Sequence, residues 1–140
     1  MATDWDTRLS GHTPAALSLF RVVFGLLYCV HGTSKLFDWP VVMDVPSASW
    51  PYWWAGLIEF VAGLLIMTGL FTRAAAFVAA GQMAIAYFWE HQRYALWPID
   101  PAQGGHGGGE PSVLYCFAFL LLVFTGGGAY ALDRLRRRGP

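Results

Sequence analysis

The stretch of sequence that decides the fold is Ala15–Phe37, AALSLFRVVFGLLYCVHGTSKLF. A transmembrane helix needs about 20 mostly apolar residues to cross a hydrocarbon core of roughly 30 Å, and this run is long enough. Thr13 followed by Pro14 indicates where the helix begins, because a hydroxyl caps free backbone amides and proline is tolerated in the first turn. We therefore predict a first membrane-spanning helix over about residues 14–37. Acidic residues precede it where a signal peptide would be basic, so we expect the run to stay in the mature protein.

The composition of the whole chain indicates the same environment. Of 140 residues, 56% are hydrophobic and only 13% are charged, against about 25% in a soluble globular domain. Nine basic and nine acidic residues give a net charge of zero, which argues against a nucleic-acid partner. Disorder is excluded by the same abundance of apolar residues. We expect one domain over residues 1–140, embedded in the lipid bilayer.

Three further apolar segments are long enough to cross the bilayer. They cover about residues 52–70, 73–91 and 111–132. The connection between the second and third is so short that these helices must be antiparallel neighbours, and we expect Thr72 to cap the third. Loops rich in proline, glycine and tryptophan separate the others. The predicted fold is all-α, an integral membrane up-down four-helix bundle.

The charges outside the spans predict the orientation of the bundle. With four spans, both termini lie on one side, and most arginines lie there too: Arg8, Arg73, Arg134, Arg136, Arg137 and Arg138. The opposite loops carry only two basic residues, Lys35 and Arg93, against five acidic ones: Asp38, Asp44, Glu90, Asp100 and Glu110. By the positive-inside rule both termini are cytoplasmic.

Four ionisable side chains fall at membrane depth, namely Arg21, His31, Lys35 and Glu59. Each costs a few kcal/mol there, so by default such groups face the bundle interior and mark a functional site. At 100° per residue the first helix presents a single polar face notched by glycine, with His31 at its margin. That face consists of Arg21, Gly25, Tyr28, Gly32 and Lys35.

Glu59 lies near the middle of the second span, at a depth close to that of Tyr28 and His31. A polar chain of Arg21, Tyr28, Glu59, His31 and Lys35 could therefore thread the bundle, joined by Gln82 of the third span. In this hypothesis Glu59, Arg21 and His31 are catalytic, whereas Tyr28, Lys35 and Gln82 bind a cofactor. The alternative is that Arg21 and Lys35 extend to the headgroups and that Glu59 is a protonated, hydrogen-bonded acid.

Other residues that often carry chemistry have simpler explanations here. Cys29 and Cys116 lie inside apolar runs and are expected to be packing residues. Ala76, Ala80 and Ala84 have the spacing that lets helices approach closely in lipid. Histidines and acids at or beyond the outer ends of the spans lack the spacing of a haem or metal site, so no metal is expected and haem is disfavoured. They are His31, His91, His106, Glu90 and Glu110.

Taken together, several short motifs resemble the DoxX family of bacterial membrane proteins, which includes DoxD-like members. The matching segments cover nearly the whole chain in the right order: Leu19-Phe20-Arg21, His31-Gly32-Thr33-Ser34-Lys35-Leu36-Phe37, Glu59 with Gly63-Leu64-Leu65, Gly69-Leu70-Phe71-Thr72-Arg73-Ala74-Ala75, Gly108-Gly109-Glu110, and Gly126-Gly127-Gly128 before Leu132-Asp133.

The resemblance implies a four-helix protein of the bacterial inner membrane. It implies similarity to the quinone-linked subunit of a thiosulfate:quinone oxidoreductase and to proteins that support periplasmic thiol redox. It also implies that Arg21, His31, Lys35, Glu59 and Glu110 occupy the polar signature of the family, and Glu110 becomes a candidate cofactor-binding residue on this ground alone. The sequence departs from the family before Glu110, where it has His106-Gly107-Gly108-Gly109 instead of an Asn-Gly-Gly-like segment.

Three functions remain open from the sequence. The first is a redox subunit that binds a quinone or a small sulfur compound, with a proton donor and an apolar slot supplied by the helices. If it is an enzyme, it acts with a partner that delivers the electrons. The second is a non-catalytic accessory or assembly subunit of a larger membrane complex. The third is a small-solute transporter, which four spans without a broken-helix repeat disfavour.

Overall fold

The computed structural model describes residues 4–95, 97–100 and 107–136, and these residues form helices and loops without a strand. The helices are α1 (Asp4–Phe37), α2 (Tyr52–Thr68), α3 (Thr72–Ala86), α4 (Glu110–Thr125) and the short α5 (Leu132–Arg136). A π-helical turn, Tyr87–His91, continues α3. Within this part of the chain the prediction of an all-α fold is confirmed.

Helix α1 begins earlier than the Thr13-Pro14 signal indicates. It starts at Asp4, and Pro14 lies inside the helix rather than in its first turn. Acidic residues favour a helix N-terminus through the helix dipole, and Asp4 also pairs with Arg8 one turn later at 2.9 Å. The polar segment before Pro14 is therefore helical in its own right.

Helix α4 ends at Thr125, short of residue 132. Gly126 has φ 79° and Gly128 has φ 80°, conformations that other residues rarely adopt. The three glycines turn the chain back toward α1, where the Ala129 N–H donates to the Pro14 carbonyl at 2.9 Å. Helix α5 then crosses the ends of α2 and α3.

Helices α1 and α2 are antiparallel and pack at very short distance because glycines face each other along their contact. A Cβ on Gly25 would lie 2.6 Å from the Met67 backbone nitrogen, and a Cβ on Gly63 would lie 2.6 Å from that of Cys29. A Cβ on Gly32 would likewise clash with the backbone of Phe60. No larger residue fits at these positions without moving one helix.

Helices α3 and α4 pack through small residues of α3, of which Ala76 and Ala80 are buried as predicted from their spacing. The packing of α1 against α4 is different, because the backbones of these two helices hardly approach each other. Aromatic rings fill the space between them, with the Tyr28 and Phe119 ring centroids 4.8 Å apart. The aromatic layer separates α1 from α4 and borders the candidate site.

The end of the assembly formed by Pro14, Gly69, Thr72 and Asp133 is called the terminal end below. Here the N-terminus of α3 is capped from a distance, because Asp133 accepts the Phe71 and Thr72 N–H groups at 2.8 Å each. The expected capping by Thr72 itself does not occur. Thr72 is the first residue of the helix, and the residue at the N-cap position is Phe71, whose side chain makes no capping hydrogen bond.

Within the described residues, α1 is the helix that is both long and apolar enough to cross a membrane. Helices α2 and α4 are apolar but shorter.

Candidate functional site

A buried ion pair joins α1 to α2. The Lys35 Nζ lies 2.6 Å from Oε1 of Glu59, and the Glu59 side chain is only 3% exposed. Gly56 makes this contact possible, because a Cβ at that position would lie 2.7 Å from the Cβ of Lys35. The glycine therefore leaves room for the lysine stem to run along α2 toward the carboxylate.

Two further side chains complete the site. The Gln82 Nε2 of α3 donates to the same Oε1 of Glu59 at 3.1 Å, and Tyr28 donates its hydroxyl to the Gln82 Oε1 at 2.6 Å. Tyr28 is 1% exposed. We refer to Tyr28, Lys35, Glu59 and Gln82 as the polar cluster.

The polar cluster leaves one strong acceptor unused. Oε2 of Glu59 is buried and has no hydrogen-bond partner in the described parts of the chain. A buried polar atom without a partner costs free energy, of the order of 1–3 kcal/mol and more when charged. Such an atom is a candidate position for a proton, a bound water or a hydrogen-bonding ligand.

Arg21 lies apart from the polar cluster, although the sequence hypothesis placed it in the same chain. Its guanidinium donates to the backbone carbonyls of Gly127 at 2.8 Å, Ile66 at 2.8 Å and Tyr130 at 3.2 Å, and also to that of Met67. Arg21 is 2% exposed, so its guanidinium is enclosed by the protein at the terminal end. Its geometry is that of a buried clamp that ties α1 to the end of α2 and to the glycine turn after α4.

His31 is exposed beside the polar cluster rather than inside it. Its ring meets the Tyr115 ring of α4 edge to face, with centroids 6.0 Å apart. Tyr115 in turn packs against Tyr28, with centroids 5.7 Å apart. In the described part of the chain neither the His31 ring nor the Tyr115 hydroxyl has a hydrogen-bond partner, so both remain available to a ligand.

Glu110 is exposed at the first residue of α4, where its N–H donates to the Pro98 carbonyl at 3.1 Å. The structure does not bring its side chain to the polar cluster. Nδ1 of His91 donates to the Gly107 carbonyl at 3.0 Å, and Tyr52 donates its hydroxyl to Glu90 at 2.7 Å. Residues 4–95, 97–100 and 107–136 contain no group of three or more ligating side chains suited to a metal. His106, Arg137 and Arg138 lie outside the described residues.

The sequence hypothesis missed Tyr115, Phe119 and Asp133. Tyr115 is the residue through which α4 borders the polar cluster, and the signal for it was the one tyrosine of α4, set between apolar residues. Phe119 had no such signal, because one phenylalanine among several in α4 does not reveal which faces inward. Asp133 was hidden because it caps a helix that precedes it by some 60 positions.

Comparisons with known proteins give similar chains in two bacteria. An uncharacterized protein of Haemophilus influenzae is 37% identical over 131 residues, which cover 89% of this chain and 93% of that protein. The inner membrane protein YqjF of Escherichia coli is 29% identical over 127 residues, covering 82% of this chain and 87% of YqjF. No solved structure matches. The model of the family named DoxX matches residues 16–92, which carry Arg21, the polar cluster and the Gly69–Arg73 connection, so the chain belongs to the DoxX family.

Proposed function

We propose that the chain is a multi-pass protein of the bacterial inner membrane in which α1–α4 cross the bilayer as an up-down bundle. Large apolar side chains are exposed on the outer faces of all four helices, among them Leu27, Leu64, Phe77 and Phe124. An apolar surface of this extent favours lipid over water. The description of YqjF as an inner membrane protein supports the same location. The arginines near the terminal end support the proposal that this end and both termini face the cytoplasm.

Within the membrane we propose a redox function, in which the chain binds a quinone and exchanges protons with it. The observation that carries this proposal is the unpartnered Oε2 of buried Glu59. Reducing a quinone to a quinol takes up two electrons and two protons, so a quinone site needs a protonatable group close by. Oε2 is the atom at which Glu59 would hold such a proton.

The surrounding residues fit this task for Glu59. The Lys35 side chain is 16% exposed. It lies near the end of α1 that faces outward in the proposed orientation, so it connects the Glu59 carboxylate to the outer surface. Gln82 holds Oε1 in place, which leaves Oε2 as the position that gains or loses the proton.

The quinone ring is proposed to bind where α1 and α4 diverge, beside His31 and Tyr115. Both side chains have hydrogen-bonding groups without a partner in the described residues, and their rings meet edge to face, so a quinone carbonyl oxygen could accept from either. At 1.5 Å per residue, His31 lies about 9 Å before the end of α1. That depth suits the headgroup of a lipid-soluble quinone. A partner subunit that oxidises thiosulfate or a thiol would supply the electrons.

The proposed site can be tested by measuring the binding of decylubiquinone to the protein in mild detergent. Quenching of tryptophan fluorescence reports the binding. Tyr115→Phe and His31→Ala each remove one donor and should weaken binding about tenfold, the loss expected for one hydrogen bond. Tyr130→Phe is the matched control, since Tyr130 is 76% exposed at the opposite end. Equal affinity in all four proteins would refute quinone binding at this place.

A second candidate function is an accessory subunit, which the first turns of α1 favour. Residues 4–14 are helical and exposed, with Trp5 at 74% and Leu9 at 65% exposure one turn apart. Such a helix offers an apolar stripe to a partner. If Trp5→Ala/Leu9→Ala removes a co-purifying protein while decylubiquinone binding is absent from the wild type, the accessory function replaces the redox function.

A further inference from the structure

A groove opens at the terminal end, on the side opposite to the polar cluster. Its volume is about 860 Å³, within the range of roughly 300–1,000 Å³ typical of small-molecule sites. The wall toward α1 is apolar, and the other walls come from the glycine turn after α4 and from the starts of α3 and α5. Representative lining residues are Pro14, Leu17, Arg73, Gly126, Arg134 and Arg136.

Positive charge dominates this groove. Arg73, Arg134 and Arg136 are all exposed at its walls, and none of them has a salt bridge with a residue in the described ranges. Arg73 lies beside the glycine turn, where a Cβ on Gly126 would be in ordinary contact with its guanidinium, 3.6 Å from Nε. The Arg136 guanidinium is held over the Phe71 ring at 4.4 Å from its centroid.

The one acidic residue that lines the groove offsets only part of this charge. Both carboxylate oxygens of Asp133 accept backbone N–H groups at the start of α3, from Phe71 and Thr72. The carboxylate is therefore held at the helix terminus, and three guanidinium groups against one carboxylate leave a net positive charge to attract an external anion. The N-terminal amides of α3 are already capped and contribute nothing to that attraction.

We propose that this groove binds an anionic phosphate group. Guanidinium groups bind phosphate oxygens through paired, charge-assisted hydrogen bonds, and three of them line this groove. The apolar wall at Leu17 suits the glycerol and first acyl carbons of a phospholipid, and the terminal end lies at headgroup depth in the orientation given above. The same chemistry would accept a phosphate from solution.

The test measures the thermal unfolding midpoint in uncharged detergent, because a ligand that binds the folded state raises it. The additives are phosphatidylglycerol, phosphatidylcholine with the same acyl chains, and inorganic phosphate. The double variant Arg73→Gln/Arg134→Gln removes two of the guanidinium groups. Arg8→Gln is the matched control, since Arg8 lies at the same end but pairs with Asp4 outside the groove.

We expect phosphatidylglycerol to raise the midpoint more than phosphatidylcholine does, with the difference lost in the double variant and kept in Arg8→Gln. Native mass spectrometry should show at least tenfold weaker phosphatidylglycerol binding to the double variant. An equal rise with inorganic phosphate that also depends on Arg73 and Arg134 would identify a soluble phosphate as the ligand. Equal rises with both lipids, or the same loss in Arg8→Gln, would overturn the proposal.

Discussion

Lys35 and Glu59 form a buried ion pair in which only one carboxylate oxygen is used. Nζ of Lys35 and Nε2 of Gln82 both donate to Oε1, whereas Oε2 has no partner in the part of the chain that the structure describes. A buried pair gains little stability over an apolar pair of the same volume, because both charges lose their hydration. We therefore interpret the unused Oε2 of Glu59 as a feature that serves function rather than stability.

The coupling between these two residues can be measured. Lys35→Met leaves Glu59 as an uncompensated buried acid and should lower the free energy of unfolding by about 3 kcal/mol. The double variant Lys35→Met/Glu59→Gln removes both charges and should be more stable than Lys35→Met alone. Chemical unfolding in detergent gives the double-mutant cycle. Additive effects would mean that the two groups do not interact in the folded protein.

The glycine contact between α1 and α2 is expected to be intolerant of even one methyl group. Gly32→Ala places a Cβ against the Phe60 backbone and should lower stability by about 1–3 kcal/mol. Gly81→Ala is the control within α3, where a Cβ meets nothing within 4 Å and alanine favours the helix. Thermal unfolding in one detergent compares them. Equal midpoints for both variants would contradict the close packing of α1 on α2.

Arg21 is expected to act on stability and not on ligand binding. Arg21→Gln removes donors from four backbone carbonyls and should destabilise the protein by about 2–4 kcal/mol, and Arg21→Lys should restore only part of this because lysine cannot span the same acceptors. The folded fraction of Arg21→Lys should bind decylubiquinone with unchanged affinity. If fully folded Arg21→Lys bound decylubiquinone more weakly than the wild type, Arg21 would be part of the ligand site.

The cap of α3 by Asp133 should make stability depend on pH. Burial alone raises the pKa of Asp133, but the hydrogen bonds from Thr72 and Phe71 and the nearby charge of Arg136 outweigh burial and hold this pKa below its ordinary value of 3.8. The unfolded chain therefore binds the proton first. The stabilisation is fully present above pH 3.8 and is lost as the pH falls through the lower pKa of the folded state.

Asp133→Ala should cost about 1 kcal/mol at neutral pH and should flatten the acid side of the stability curve. The unfolding midpoint measured from neutral to acidic pH checks both effects. Asp4→Asn, which removes an exposed carboxylate that pairs with Arg8, should change stability by no more than about 0.5 kcal/mol. A parallel loss of stability with acid in wild type and Asp133→Ala would exclude the cap as its source.

The helices themselves were predictable from the sequence, because long apolar runs between proline-rich and glycine-rich loops determine them. Their ends were less so. Pro14 is tolerated inside α1 since the preceding segment has its own helical stabilisation, and the start of α3 depends on Asp133, a contact that local sequence cannot reveal.

The candidate site was predicted in part. Helical periodicity placed Tyr28 and Lys35 on one face of α1, and membrane depth placed Glu59 and Gln82 near them, which the structure brings together. Membrane depth alone also predicted that Arg21 belongs to the same polar chain. In the structure its guanidinium instead donates to backbone carbonyls at helix ends. His31 lies at the edge of the polar face of α1, and that edge is exposed, so its side chain is not part of the buried cluster.

The most direct test of the proposed redox function is infrared difference spectroscopy of the protein with decylubiquinone, recorded as the quinone is reduced. If Glu59 exchanges a proton with the site, the carbonyl-stretching region of protonated carboxyl groups should show a difference band in the wild type. The band should be absent in Glu59→Gln and unchanged in Glu110→Gln, which alters an exposed acid away from the cluster. A band that persists in Glu59→Gln, or no carboxyl band in a wild type that binds the quinone, would contradict the proposal.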